Sequence, residues 1–77
     1  MQRFYLLRFK SNRGNVARFV FSYDGKGGGI AMSQAVQAWL EFSASGNKFV
    51  SLEHREADDS DPNSEGILLE SLPEPKE

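Results

Sequence analysis

The stretch YDGKGGGIAMS, residues 23–33, comes closest in residue types to a known ligand-binding motif. Glycines and a lysine between a strand-like run and a helix-like run are the ingredients of phosphate-binding loops. A P-loop would need Ser or Thr directly after Lys26, but Gly27 stands there. The dinucleotide pattern fails as well, because Ile30 occupies the position of its last glycine. We interpret the segment as a strand-to-helix connection, with a generic anion site at the helix N-terminus as the alternative.

Two other groups of side chains are suited in type to catalysis or metal binding. His54 is the single histidine, and one histidine beside charged neighbours indicates a surface residue rather than a general base. Asp58, Asp59 and Asp61 are spaced closely enough to suggest a cation-binding loop, but Pro62 interrupts the EF-hand pattern. We therefore expect a solvated acidic linker, no cofactor, no metal site and no enzymatic activity.

The elements that must position these residues are predicted from the spacing of apolar side chains. Residues 3–10 and 16–23 are rich in aromatic and aliphatic residues and are joined by the turn formers SNRGN, which predicts an antiparallel hairpin. The first strand is apolar on both faces, as a central strand would be. Residues 47–56 predict a third strand, with Phe49 on one side and with Val50 and Leu52 on the other.

One helix is predicted after the glycine loop. Its expected apolar stripe has helical spacing and consists of Met32, Ala35, Val36, Trp39 and Leu40. Ser33 is the expected N-cap, and Gly46 is expected to end the helix in a left-handed conformation. We expect Trp39 to lie in the core.

The predicted fold class is α+β, with an antiparallel sheet of three to four strands packed against one helix. The order is β-β-α-β, and residues 67–72 form either a fourth short edge strand or one helical turn. Residues 1–57 are predicted to form the folded body. Residues 58–77 are predicted to form an acidic, partly flexible C-terminal segment.

Length, charge and cysteine content narrow the function further. The chain has 77 residues, no cysteine and no apolar run long enough to span a bilayer, which favours a small soluble cytoplasmic domain. Residues 1–50 carry seven Lys or Arg against two acids, whereas residues 51–77 carry two against nine. Such an asymmetry of charge gives information about binding partners rather than about the fold.

The favoured function is a protein-interaction module, because no catalytic motif is visible and aromatic and arginine residues are suitable binding anchors. In size, lack of cysteine and charge, the whole chain resembles the small phage-encoded inhibitors of bacterial defence, including the anti-CRISPR type. The resemblance implies an inhibitor that binds and blocks a protein or nucleoprotein assembly. The residues predicted to contact the partner are charged: Arg8, Lys10, Arg13, Arg18, Asp58, Asp59 and Asp61.

The alternative function is direct nucleic-acid binding by the hairpin. Its arginines and lysine alternate with phenylalanines and a tyrosine, so that cations would hold phosphates while exposed aromatic rings stack on bases. The competing interpretation is that these rings are core and the charges only solvate the edges. The acidic segment is also expected to shield the basic face in cis, which would lower the affinity for nucleic acid.

Overall fold

The computed structural model describes residues 2–58, 60 and 64–76. Four strands and one helix follow each other in the order β1 (Arg3–Lys10), β2 (Val16–Tyr23), α1 (Gly28–Ala44), β3 (Lys48–Glu56) and β4 (Ile67–Leu72). The predicted α+β class is confirmed, and residues 67–72 form a strand rather than a helical turn.

The four strands form one antiparallel sheet in the order β2-β1-β3-β4. The expectation that β1 is central is confirmed, because it pairs along its whole length with β2 on one side and with β3 on the other. Tyr5, Leu6, Leu7 and Phe9 are all buried, so apolar side chains are shielded from solvent on both faces of β1. A strand buried on both faces has a nearly continuous apolar run, as residues 3–10 do.

The helix packs on one face of the sheet, and we call this the helix face. Tyr5, Leu7 and Phe9 of β1 meet the helix there, together with Leu52 of β3. Trp39 is 1% exposed, which confirms its expected place in the core. The other face carries Leu6, Arg8 and Lys10 of β1 and the residues aligned with them, and we call it the open face.

The helix begins earlier than expected and is rotated relative to the predicted stripe. It starts at Gly28 with Gly27 as its N-cap, so the prediction that Ser33 is the N-cap is wrong. Of the expected stripe, Ala35 and Trp39 are buried, Val36 and Leu40 are half-buried, and Met32 is 37% exposed. Ala31, which was not expected in the stripe, is buried as well. Small alanines let the helix lie close to the large aromatic side chains of the sheet, so the true stripe is less hydrophobic than the predicted one.

Gly46 ends the helix, as expected. Its φ of 91° is left-handed, a conformation that glycine adopts without steric cost. The Gly46 amide donates to the Ser43 carbonyl at 3.0 Å, and the Asn47 amide donates to the Phe42 carbonyl at 3.3 Å. This pair of bonds is a Schellman motif, which satisfies carbonyls at the helix end.

The glycine-rich connection owes its composition to a close approach. A Cβ atom at Gly28 would lie 3.2 Å from the ring of Tyr23, a tight contact that would require the ring to shift, so glycine lets the first helical turn rest on that ring. The Gly27 amide donates to the Asp24 carbonyl at 3.1 Å and closes the turn that precedes the helix. The connection thus has a structural reason that needs no bound phosphate.

Two irregularities change which side chains share a face. A bulge between Arg8 and Phe9 of β1 in its pairing with β3 places Phe49 on the helix face with Leu52, and leaves Val50 50% exposed. The expectation that Phe49 and Leu52 lie on opposite sides is therefore wrong. A second irregularity lies between His54 and Arg55 in the pairing of β3 with β4.

Candidate interaction surfaces

Most basic side chains of the hairpin lie on the open face and most of its aromatic rings lie on the helix face, with Arg3 and Phe4 as the exceptions. Positions of even number in β1 and β2 include Arg8, Lys10 and Arg18, which are aligned on the open face. The aromatic residues of odd number lie on the helix face: Tyr5, Phe9, Phe19, Phe21 and Tyr23. Cations and rings that alternate in sequence are separated by the pleat, because successive side chains of a strand point to opposite faces.

An ion-pair network crosses the open face. Arg8 Nη1 and Arg55 Nε each lie 2.9 Å from Glu53 Oε1. Arg8 Nη2 also donates to Glu65 Oε1, and Arg18 Nη1 donates to Glu65 Oε2 at 2.8 Å. Glu65 therefore binds β1 and β2 from the segment that leads into β4.

The environment of the network strengthens these bonds. The side chains of Arg8 and Glu53 are 21% and 14% exposed, so solvent screens this pair less than it would a fully exposed one. Hydrogen bonds from Arg8 and then Arg18 hold the pKa of Glu65 below its ordinary value. In return, the hydrogen bond to Glu65 raises the pKa of Arg8. The ion pairs of the network therefore favour the charged form of Glu65.

Four cations occupy one corner of the open face, and we call this set the cationic corner: Arg8, Lys10, Arg18 and Lys48. Lys10 is aligned with Lys48 of β3, and Arg8 is aligned with Arg18 of β2. Arg13 lies in the exposed turn between β1 and β2. In the described part of the chain, no carboxylate lies within salt-bridge distance of Lys10, Arg13 or Lys48.

The predicted acidic contact residues are described only in part. Asp58 accepts hydrogen bonds from the Ser60 hydroxyl at 2.6 Å and from the Ser60 amide at 3.0 Å, and these bonds lower the pKa of Asp58. Asp59 and Asp61 lie outside the described residues. The structure thus brings Arg8 and Arg18 together, places Lys10 beside them, and leaves Asp58 in a local turn.

The strand β4 forms an apolar surface at the edge of the sheet. Ile67, Leu68 and Leu69 are 53%, 48% and 43% exposed. The helix packs against β1, β2 and β3, and across the described ranges it does not contact β4. Within those same ranges, no strand pairs with the outer edge of β4. Three large apolar side chains therefore stand on an uncovered strand.

An aromatic cluster surrounds His54 on the helix face. The imidazole stacks on the ring of Tyr5, with centroids 4.4 Å apart and 7° between the planes. The Tyr23 hydroxyl lies 2.6 Å from His54 Nε2. Burial raises the pKa of Tyr5, and Tyr23 and Glu70 add to this effect. The expectation that His54 is a surface residue is wrong, because its side chain is half-buried. β4 continues the sheet beyond β3, so His54 lies on an interior strand.

Sequence reasoning missed two residues of the open face, Glu53 and Glu65. Each is an isolated acid whose partners are distant in sequence, since Arg8 lies 45 positions from Glu53 and 57 positions from Glu65. The excess of acids in the second half of the chain was the available signal. It indicates a counter-charge for the basic hairpin but does not identify the residue that supplies it.

Across the described ranges, no three metal-binding side chains converge on one point. In the same part of the chain, no helix has the length and apolar character needed to cross a bilayer. Comparison with protein-family models, with curated proteins and with solved structures finds no match to this chain.

Proposed function

We propose that the protein is a non-enzymatic interaction module that binds another protein through β4. The observation that carries the proposal is the exposure of Ile67, Leu68 and Leu69 on a strand with a free edge. A free edge offers a row of backbone donors and acceptors, to which a partner can add a strand of its own.

The composition of β4 supports this function. Natural edge strands are commonly blunted by lysine or proline within the strand, and ILLESL contains neither. Gly66 and Pro73 bound the strand, so the surface offered to a partner is six residues long. Fully burying a leucine or isoleucine side chain contributes roughly 1.5–3 kcal/mol, so three half-exposed ones provide a useful driving force.

The biological effect that fits such a module is inhibition. A protein that adds its edge strand to the sheet of a partner occupies that sheet edge and denies it to any other strand. We propose that the chain blocks a protein or nucleoprotein assembly in this way, as the small inhibitors that it resembles do.

The arrangement of the hairpin argues against the nucleic-acid alternative. Base stacking needs exposed aromatic rings beside phosphate-binding cations. Here Tyr5 and Phe9 lie on the helix face and are 7% and 5% exposed, and Phe19, which is 42% exposed, lies on the same face. Arg8 and Arg18 lie on the open face, so the pleat of the sheet separates them from the exposed ring.

The test is affinity capture with matched variants. The double variant I67K/L69K places charges on β4, and I30K/M32K places the same charges on exposed apolar residues of the helix. We expect nuclease-treated lysate of the source cells to yield a protein that binds the wild type and I30K/M32K but not I67K/L69K. If both variants captured the protein equally, β4 would not be the binding surface. Loss of all binding on nuclease treatment would favour nucleic acid.

A further inference from the structure

We propose that the cationic corner is a binding site for an extended acidic segment of a partner protein, and that Glu65 occupies part of this site in cis. The proposal concerns the open face and does not depend on the binding of a partner to β4.

The register of the sheet concentrates like charges at this corner. Arg8 is directly opposite Arg18, and we call this pair the arginine row. Lys10 is directly opposite Lys48, and we call this pair the lysine row. Like charges directly opposite each other on neighbouring strands are destabilising. Two such rows in succession therefore cost folding free energy, and an anionic ligand would offset that cost.

The contacts of Glu65 show which anion the corner accepts. One carboxylate bonds both arginines of a row, with Arg8 on one oxygen and Arg18 on the other. The arginine guanidinium has a planar array of donors that matches a carboxylate. The site thus holds a carboxylate of the chain itself, in a geometry that a carboxylate of another chain can reproduce.

Glu65 satisfies only one of the two rows. In the part of the chain that the structure describes, no acid pairs with Lys10 or Lys48. Arg8 and Lys10 are two positions apart on β1, which is about 6.6–6.8 Å along a strand. An extended peptide has the same repeat on each of its faces. Acids at alternate positions of such a peptide would therefore meet the arginine row and the lysine row together.

A protein ligand fits the corner better than a nucleic acid does. The described part of the open face carries no exposed aromatic ring beside the four cations on which a base would stack. A carboxylate ligand needs only the guanidinium donors that Glu65 already uses, and no stacking surface.

The experiment measures competition between Glu65 and a free peptide. The probes are a fluorescein-labelled peptide of alternating Glu and Ser, and a labelled oligodeoxythymidine with the same number of charges. The variants are E65Q and E41Q. Both remove one negative charge, but Glu41 is an exposed residue of the helix and, among the described residues, forms no salt bridge with a cation of the corner. Binding is measured by fluorescence anisotropy at low and physiological salt.

We expect E65Q to bind the acidic peptide at least about tenfold more tightly than E41Q, because an intramolecular carboxylate competes at a high effective concentration. Adding K10Q/K48Q to E65Q should weaken binding several-fold and reduce its salt dependence. Equal affinities of E65Q and E41Q would overturn the proposal. Tighter binding of the oligonucleotide than of the peptide by E65Q would overturn it in favour of a phosphate site.

A second measurement does not require the E65Q variant to fold normally. In wild-type protein, the acidic peptide should shift the Nε–H resonances of Arg8 and Arg18 in nitrogen-15 spectra as it displaces Glu65. Resonances that stay unchanged at saturating peptide would contradict the proposal. The peptide should bind I67K/L69K and I30K/M32K equally, so a failure of this site is distinguishable from a failure of the β4 surface.

Discussion

The hydroxyl of Tyr23 lies 2.6 Å from Nε2 of His54, and this hydrogen bond joins the edge strand β2 to the interior strand β3 across β1. The ring of Tyr5, on the strand between them, stacks against the same imidazole. Three side chains from three neighbouring strands therefore form one unit on the helix face, close to the glycine turn.

The first prediction concerns this hydrogen bond. Tyr23→Phe should lower the free energy of unfolding by about 0.5–1.5 kcal/mol, the usual net value of one hydrogen bond. Tyr5→Phe is the matched control, because no hydrogen bond of the Tyr5 hydroxyl is seen among the described residues. Denaturant unfolding measures both variants, and an equal loss in the two would show that the Tyr23–His54 bond adds nothing.

The second prediction concerns the pH dependence of stability. The pKa of Glu65 is held below its ordinary value of 4.5, so its ion pairs contribute stability that is fully present above that value. As pH falls through the lowered pKa, Glu65 is protonated in the folded state and the contribution is lost. The wild type should therefore be more stable than Glu65→Gln at neutral pH, and the difference should vanish in acid. A difference that is constant between neutral pH and pH 3 would contradict the assigned ion pairs.

The third prediction concerns the core. Trp39 is 1% exposed and lies 5.4 Å from the ring of Phe49 in an edge-to-face contact. Trp39→Ala should cost about 3–5 kcal/mol, which is a large share of the stability of a small domain. Met32→Ala, at an exposed position of the same helix, should cost far less. Melting curves of the two variants decide this, and equal melting temperatures would be incompatible with the observed core.

The fourth prediction uses two glycines. Gly66 has a φ of 78°, and a side chain there would overlap with the Glu56 carbonyl oxygen. Gly66→Ala should therefore destabilise the protein by more than about 1 kcal/mol. Gly29 lies in the first turn of the helix with open space around it, so Gly29→Ala should be neutral or stabilising by up to about 1 kcal/mol. Equal melting temperatures of the two variants in calorimetry would contradict the close approach of Gly66 to the Glu56 carbonyl.

The fifth prediction concerns the segment after β3. Truncation after Ala57 removes β4 and Glu65, so β3 becomes an unpaired edge and the arginine row loses its carboxylate. We expect the body to fold but to melt at a lower temperature and to aggregate more readily. Truncation after Leu72, which keeps β4, should have little effect. A truncated body that does not fold at all would make β4 an integral part of the domain.

The sequence was sufficient to predict the strands of the hairpin and the position of β1, because their signals are local. Apolar residues on both faces of 3–10 are typical of a strand in the interior of a sheet. The turn formers of 11–15 favour a hairpin over other connections between the two strands. The end of the helix at Gly46 was equally predictable from the sequence, since the end of a helix depends on a few adjacent residues.

The first turn of the helix stripe and the β3 faces could not be predicted, for reasons of packing. Ala31 is buried because large rings of the sheet leave little space, whereas Met32 is more hydrophobic and yet exposed. A hydrophobicity pattern ranks these residues in the opposite order. The bulge near Phe49 shifts the alternation of β3 by one residue, and it depends on pairing with a distant strand.

The pairing of Glu65 with Arg8 and Arg18 was beyond sequence reasoning because it depends on the path of the chain. The acidic segment was expected to counter the basic hairpin in a general way. Which acid reaches which cation is set by the pairing of β4 with β3.

The strand order has a consequence for the protein while it is being synthesised. β1 pairs with β3, which follows it by about 45 positions, so the sheet cannot be completed around β1 until residue 56 has been made. At roughly 5–20 residues per second, the ribosome needs about 2–7 s to proceed from the end of β2 to the end of β3. During that interval one edge of β1 has unpaired backbone groups, and the apolar side chains of β1 are not yet covered. This is the stage at which chaperones would find the most exposed apolar surface to bind.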